Sequence, residues 1–186
     1  QEMKKVFFGA LRRRKAKISL HTKLVLTLTS FLIVFSFVLF LAIEWNNSLK
    51  MFTLKEKVFS SIFQVVTPRT AGFNTMDLNS LSFSAVLLLI MLMFIGASSG
   101  STGGGVKTST IGVILGFLKS KITARDSVNL FRRTLPLESV MKAFTVITLA
   151  ICVIFFSSFI LLLTQPVASM KEALFEVFSA FSMVGL

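Results

Sequence analysis

The chain has 186 residues, of which 54% are apolar and 15% charged, with a mean hydropathy of +0.82. Soluble domains run near ~45–50% apolar and about 25% charged, so this composition excludes an ordinary soluble domain, and its apolar content excludes disorder. The lone cysteine, Cys152, rules out an internal disulfide and a cysteine-based zinc site, while the net charge of +12 leaves nucleic acid open until the charges are placed along the chain.

Residues 1–23 carry a net charge of +7, including the run Arg12-Arg13-Arg14-Lys15. The first uncharged stretch follows, Leu24–Ile43, 20 residues long. A bilayer core of about 30 Å takes about 20 helical residues, so this stretch is a membrane span. His21 stands alone at its start and reads as interfacial. Trp45 stands at its end, where an interfacial indole is expected. Residues 44–80 are nearly neutral at +1, and a 17-residue uncharged stretch, Leu81–Ala97, comes next. Asn79 or Ser80 is the expected cap of the helix starting near Leu81, with Asp77 helping at the same terminus. Residues 98–142 return to +5, Ala143–Thr164 is uncharged over 22 residues, and residues 165–186 are at −1. Basic and near-neutral segments alternate across the spans, which is the positive-inside pattern. It puts the N-terminus and 98–142 in the cytosol, and 44–80 and 165–186 outside. The Arg12–Lys15 run is then a topology determinant, and nucleic acid is not an expected partner. Cys152 is expected to be a small packing residue of the last span.

The two outer segments read as copies of each other. Phe63-Gln64-Val65-Val66-Thr67 leads to Gly72-Phe73, and Phe175-Glu176-Val177-Phe178-Ser179 leads to Gly185-Leu186, with Ser182 as one extra residue. Before each Gly the apolar residues have helical spacing. Val58, Phe59, Ile62, Phe63 and Val66 share one face, and Leu174, Val177, Phe178 and Phe181 share the other. A 12-residue helix is about 18 Å long and crosses only part of a bilayer. Such a helix enters from outside and turns back, and irregular backbone at that depth is tolerable where it lines water or is buried in protein. The alternative is a pair of interfacial helices with glycine caps. A re-entrant helix presents a partially negative C-terminus to a cation, and the extended segment after it can offer carbonyl oxygens in place of a hydration shell.

Seven of the ten glycines fall between 96 and 116. The run Gly96-Ala97-Ser98-Ser99-Gly100-Ser101-Thr102-Gly103-Gly104-Gly105-Val106-Lys107 has a glycine interval suited to a phosphate loop, but Val106 displaces Lys107 from its place and a membrane span precedes it. Leu81–Ala97 and Ser109–Leu118 are together longer than the bilayer core, about 25 and 15 Å as helices, so the glycine segment reads as a helix broken inside the membrane. Lys107 near that break suits a cation path; the alternative is a flexible cytosolic loop with Lys107 facing solvent.

Thr67-Pro68-Arg69-Thr70-Ala71-Gly72-Phe73-Asn74-Thr75 resembles the third pore loop of the Ktr/Trk/HKT superfamily of potassium transporters. Gly96 to Thr108 is similar to the interrupted second membrane helix of the same repeat, and Phe175 to Leu186 to the fourth pore loop, cut off within its filter. The three motifs stand in the family's order and cover nearly the whole chain. The resemblance implies an all-α membrane protein built from repeats of membrane helix, pore helix, filter and membrane helix, with a broken inner helix. Residues 1–21 would end the second repeat, 22–121 form the third, 122–135 be a cytosolic link and 136–186 open the fourth. Within them the resemblance implies spans at 24–43 and 143–164, pore helices at about 55–67 and 171–181, filters at 70–73 and 183–186, and a broken helix at 81–97 and 109–118. On this reading the chain is a fragment of a larger membrane protein and does not conduct alone.

The implied function is potassium uptake across the plasma membrane, with K⁺ as the transported ion and no organic cofactor. Coordination falls to the carbonyls of Thr70, Ala71, Gly72 and Phe73, and of Met183, Val184, Gly185 and Leu186. Ser98, Ser99, Gly100, Ser101, Thr102, Gly103, Gly104, Gly105 and Lys107 form the implied gating loop. The implied partners are the lipid bilayer, a second copy in a homodimer, and a cytosolic ring of nucleotide-binding subunits. Lys119, Lys121, Arg125, Arg132 and Arg133 are candidates to face that ring, or anionic lipid. Ser182 and Met183 depart from the expected Gly or Ser followed by Thr. No nucleophile–base set, paired carboxylates or metal-ligand cluster is present, so no enzyme is expected. The competing reading is a secondary transporter with broken helices around a midplane site. It needs an inverted repeat, whereas both copies here follow an outward-running span.

Overall fold

A computed structural model describes residues 19–98, 103–124, 128–130, 133–165 and 169–186. Helix α1, Leu20–Glu44, starts at Ser19, whose hydroxyl accepts from Thr22 N at 3.2 Å. Helix α2, Leu54–Val66, opens with a capping box between Thr53 and Glu56. A 3₁₀ turn at Leu78–Ser80 leads to α3, Phe83–Phe94, and α4 covers Thr108–Ile122. A short antiparallel pair follows, β1 (Asn129–Leu130) with β2 (Arg133–Thr134), Asn129 lying opposite Thr134. Helix α5 is Leu137–Thr164, and α6, Met170–Ser182, repeats the capping box with Ser169 and Glu172.

The helices expected from uncharged length are present, with shifted ends. Helix α5 begins well before Ala143 because Pro136 caps it, and its first turns carry Glu138 and Lys142, paired at 2.6 Å. Charge marks where the apolar solvent ends, not where the helix does. The cap of α3 is Ser82, accepting from Ala85 N at 3.3 Å, and not Asn79 or Ser80; Asp77 serves the 3₁₀ turn through Asn79 N at 3.0 Å. Helix α3 stops at Phe94 and not at Ala97, because Ile95 turns into a parallel bridge with Val106, whose N–H donates to Phe94 O at 3.0 Å.

Helices α1 and α5 are long and apolar enough to cross a membrane, and most of their surface is open. Phe31, Val34, Phe35 and Val38 of α1 and Phe155, Phe156, Phe159 and Leu163 of α5 are exposed. A helix with large apolar side chains on its open faces has lipid or further protein as its surroundings. What α5 buries is mainly small, Ala143, Ala150 and Ser158 among them, as close packing of membrane helices favours. Cys152 is exposed on α5, so it is not the packing residue expected.

Helix α3 is the packed centre. Its Ala85, Val86, Leu89 and Ile90 are buried with Phe40 of α1, Val65 of α2, Leu49 and Leu81, and Leu174, Phe175 and Phe178 of α6 pack onto this cluster. One polar side chain ties the same region together. Glu44, the last residue of α1, is fully buried. Its Oε2 accepts from Asn47 Nδ2 at 2.9 Å, Ser48 N at 3.2 Å and Ser48 Oγ at 2.6 Å, while Oε1 accepts from Ser82 N at 3.0 Å and from Ser82 Oγ. A buried carboxylate is tolerable when hydrogen-bonded in this way, and here it fixes the end of α1 on the start of α3. Lys171 Nζ donates to Leu81 O at 3.3 Å, holding the start of α6 to the same place.

Candidate functional site

The loop after α2 is shaped by Pro68, which has no N–H to continue the helix. Arg69 N donates to Val66 O at 3.1 Å and Ala71 N to Thr67 O at 3.0 Å, so the chain keeps turning. Thr70 and Gly72 then take positive φ, 79° and 72°. For Thr that is an unusual conformation, worth about 1–2 kcal/mol, which the surroundings must impose. The constraint is the Thr67 side chain. Its Oγ1 donates to Phe73 O at 2.7 Å and accepts from Phe73 N at 3.0 Å, closing the loop across its base.

The loop after α6 has the same construction. Met183 and Gly185 take positive φ, 56° and 77°. Val184 N donates to Ser179 O at 3.0 Å. Ser179 Oγ donates to Leu186 O at 3.2 Å and accepts from Leu186 N at 3.1 Å. Ala180 stands where the first copy has Pro68, and α6 runs on to Ser182.

The two loops meet. A Cβ on Gly72 would overlap the carbonyl oxygen of Val184 and lie 3.6 Å from that of Gly185. The glycine break between α3 and α4 is seated against both. A Cβ on Gly103 would be 2.6 Å from Thr70 Cγ2, and one on Gly104 would be 2.8 Å from Phe181 O. Gly96 and Gly105 face each other within the break, where a Cβ on Gly105 would come to 3.0 Å of Gly96 Cα. Lys107 Nζ donates to Gly103 O. Thr70 and Gly72 of the first loop, Val184 and Gly185 of the second, and Gly103 and Gly104 of the break are therefore brought to one place from sequence positions far apart. Ser98 is half-buried at the start of the break; Ser99, Gly100, Ser101 and Thr102 lie outside the described residues.

Among the described residues no three His, Cys, Asp or Glu side chains gather. The oxygens available where the loops meet are carbonyls and hydroxyls. Phe73 and Met183 are exposed, Val184 is buried, and Thr70, Gly72 and Leu186 are half-buried. Lys119 and Lys121 lie exposed in the last turn of α4, where cations suit the helix dipole. Arg125 and Arg132 lie outside the described residues.

The helical spacing gave each short helix one apolar face without saying which way that face turns. In α2 the apolar stripe is outward, with Phe59 71% exposed and Ile62, Phe63 and Val66 also exposed. The buried face is Ser61, Gln64 and Val65. In α6 the stripe packs inward, Val177 buried and Leu174, Phe178 and Phe181 half-buried. Reasoning also missed the clamping role of Thr67 and Ser179. Their signal was present as the shared hydroxyl of the repeated pattern. Glu44 gave one local signal, Ser48 one turn on; its bond to Ser82, 38 residues away, had none.

Comparison with known proteins matches residues 5–186 to the TrkH family model, described as a cation transport protein. The potassium/sodium uptake protein NtpJ of Enterococcus hirae is 38% identical over 177 residues, 93% of this chain and 39% of that protein. The Ktr system potassium uptake protein B of Bacillus subtilis is 36% identical over 184 residues, 97% of this chain and 41% of that protein. The chain thus spans about two fifths of the length of these relatives. The crystal structure of the potassium transporter TrkH from Vibrio parahaemolyticus shares the fold, with a TM-score of 0.64 and 23% identity over 74% of this chain and 31% of that one.

Proposed function

The chain belongs to the TrkH family of cation transport proteins, and from that premise we propose that it supplies two of the pore loops of a potassium uptake pore. K⁺ is held by the backbone carbonyls of Thr70 to Phe73 and of Met183 to Leu186, and the Ser98–Lys107 segment is the intramembrane gate against them. The observation that carries this reading is the meeting of the two loops at Gly72 and Val184. Each has positive φ at alternate residues and a pore-helix hydroxyl clamped to its last residue. Alternating backbone hand turns successive peptide units so that carbonyls line one side. Such oxygens replace the hydration shell of a monovalent cation without any side-chain charge.

In this reading residues 22–121 are one complete repeat and 136–186 open the next, with the N-terminus and the 122–135 link on the cytosolic side of the plasma membrane. Homodimerisation and a cytosolic nucleotide-binding ring belong to the same proposal, with Lys119 and Lys121 on the surface that would face the ring. The names of the relatives, uptake proteins for potassium or for potassium and sodium, support K⁺ as cargo.

The test is ion flux of the complete protein in liposomes, parent against Gly72→Ser. Preferential K⁺ flux in the parent and a lowered K⁺ preference in the variant are expected. Unchanged flux and preference would reduce Gly72 to a helix cap and remove the pore assignment of both loops.

A further inference from the structure

The broken helix α3 ends with carbonyls that have lost their helical partners, and each must be satisfied where it is buried. Met91 O keeps its helical bond, from Ile95 N at 3.0 Å, whereas Phe94 O accepts from Val106 N across the break at 3.0 Å. Met93 O is answered from another repeat, by Ser182 Oγ at 2.6 Å. Met93 and Ser182 are both fully buried. The first loop reaches the same break through Arg69, whose Nη2 lies 3.5 Å from Gly96 O.

Ser182 is the extra residue of the second copy, and it directly precedes Met183, the first residue of that loop with positive φ. Its main chain is also what Gly104 abuts: a Cβ there would lie 2.8 Å from Ser182 C and 2.9 Å from Ser182 O. Ser182 is therefore held to the last turn of α3 through Met93 and abuts the break through Gly104. We propose that Ser182 is a positioning residue that latches the intramembrane break to the second filter, so that ion preference and gate position are set together. The proposal rests on the pore reading above. Met93 lies in the last turn of α3, just before the break, so a withdrawal of the break that carries this turn with it must cost the Met93–Ser182 bond or drag Met183 along. A coupling of this kind runs equally in both directions.

The experiment compares the complete protein in liposomes as parent, Ser182→Ala, Ser182→Cys and Ser182→Thr, with flux normalised to folded protein. Ser182→Ala orphans a buried carbonyl and frees the break. K⁺ flux rises severalfold, up to about tenfold, the equivalent of about 1.4 kcal/mol, and preference for K⁺ over Na⁺ falls. Ser182→Cys, close in size and a weaker donor, shows the same changes at smaller amplitude and carries the test if the alanine variant does not fold. Ser182→Thr keeps the hydroxyl and restores the parent values. Amide exchange over residues 103–107 is expected to quicken in the same order. Variants that melt earlier yet keep the parent's flux, preference and exchange would make Ser182 a packing residue and overturn the latch. A parent without K⁺ flux would overturn the pore reading instead, and the exchange order would still decide the Met93–Ser182 contact.

Discussion

The loops after α2 and α6 solve one backbone problem with different side chains. Both end on a residue clamped by a hydroxyl one to two turns back, and both use positive φ at two alternate residues. Around that common path almost everything differs. Helix α2 buries Ser61, Gln64 and Val65, with Ser61 Oγ and both Gln64 amide atoms lacking a hydrogen-bond partner among the described residues, and turns its phenylalanines outward. Helix α6 buries Ala173, Val177, Ser179 and Ser182, and lines its apolar residues up against α3. Pro68 ends one helix where Ala180 lets the other run on. The lesson is that the shared element is the direction of main-chain groups, fixed by local hydrogen bonds, and that packing behind it is free to vary. A site made of carbonyls can tolerate that variation, whereas a site made of side chains could not.

The largest test of this contrast uses the two glycines. Both sit at positive φ, so alanine at either position carries about 1–2 kcal/mol of backbone strain. Among the described residues only Gly72 adds a collision, because its Cβ would overlap the main-chain oxygen of Val184, while around Gly185 none of them lies within 4 Å. Gly72→Ala is expected to abolish K⁺ preference and lower the melting temperature of the complete protein by several degrees. Gly185→Ala is expected to leave both nearer the parent. Equal damage at the two sites would mean that the loops do not meet as described, or that Gly185 is enclosed in the complete protein.

The next effect is at the clamps. Thr67→Val is nearly isosteric and removes both bonds to Phe73, which costs about 1–3 kcal/mol for a buried pair and less here, since Phe73 reaches solvent. Ser179→Ala removes the matching pair to Leu186, whose bonds are longer, 3.1 and 3.2 Å against 2.7 and 3.0 Å. K⁺-over-Na⁺ flux ratios are expected to fall in both, more for Thr67→Val, and Thr67→Ser is expected to keep the parent ratio. The reverse order would place the tighter control in the second loop.

The same comparison explains what the amino-acid sequence could and could not tell. The spans, both short helices and the break were legible because each follows from a one-dimensional quantity: uncharged length, helical spacing of apolar residues, and glycine density. The inward face of α2 was not. The rule that apolar residues turn inward assumes water outside, and beside lipid or further protein Phe59 and Ile62 have no reason to hide. The meeting of Gly72 with Val184, and of Gly103 with Thr70, was implied only through the family resemblance. No spacing rule relates residues so far apart, and only the folded chain puts them side by side.

The smallest effect lies at the opposite ends of the two short helices, outside the spanning segments. Each begins with a capping box, but the carboxylate bonds are shorter in α2, while the reciprocal bond is longer there, Glu56 N to Thr53 Oγ1 at 3.5 Å against Glu172 N to Ser169 Oγ at 3.3 Å. Glu56 Oε2 accepts from Thr53 N at 2.8 Å and from Thr53 Oγ1 at 2.9 Å, whereas Glu172 Oε2 accepts from Ser169 N at 3.1 Å. The Thr53 backbone bond, and then its side-chain bond, hold the Glu56 carboxyl below the usual glutamate range. A carboxylate whose folded pKa is depressed contributes stability that is present above its unfolded value, about 4.3, and is lost as pH falls through the lower folded value. Glu56→Gln can still accept from Thr53 N but does not titrate. Melting temperatures of parent and variant are therefore expected to differ at pH 7 and to converge as the pH drops below about 4. A difference that stays constant down to pH 3 would mean that the box on α2 works through shape alone, as a neutral acceptor would, and that its shorter bonds give it no charge-dependent advantage over the box on α6.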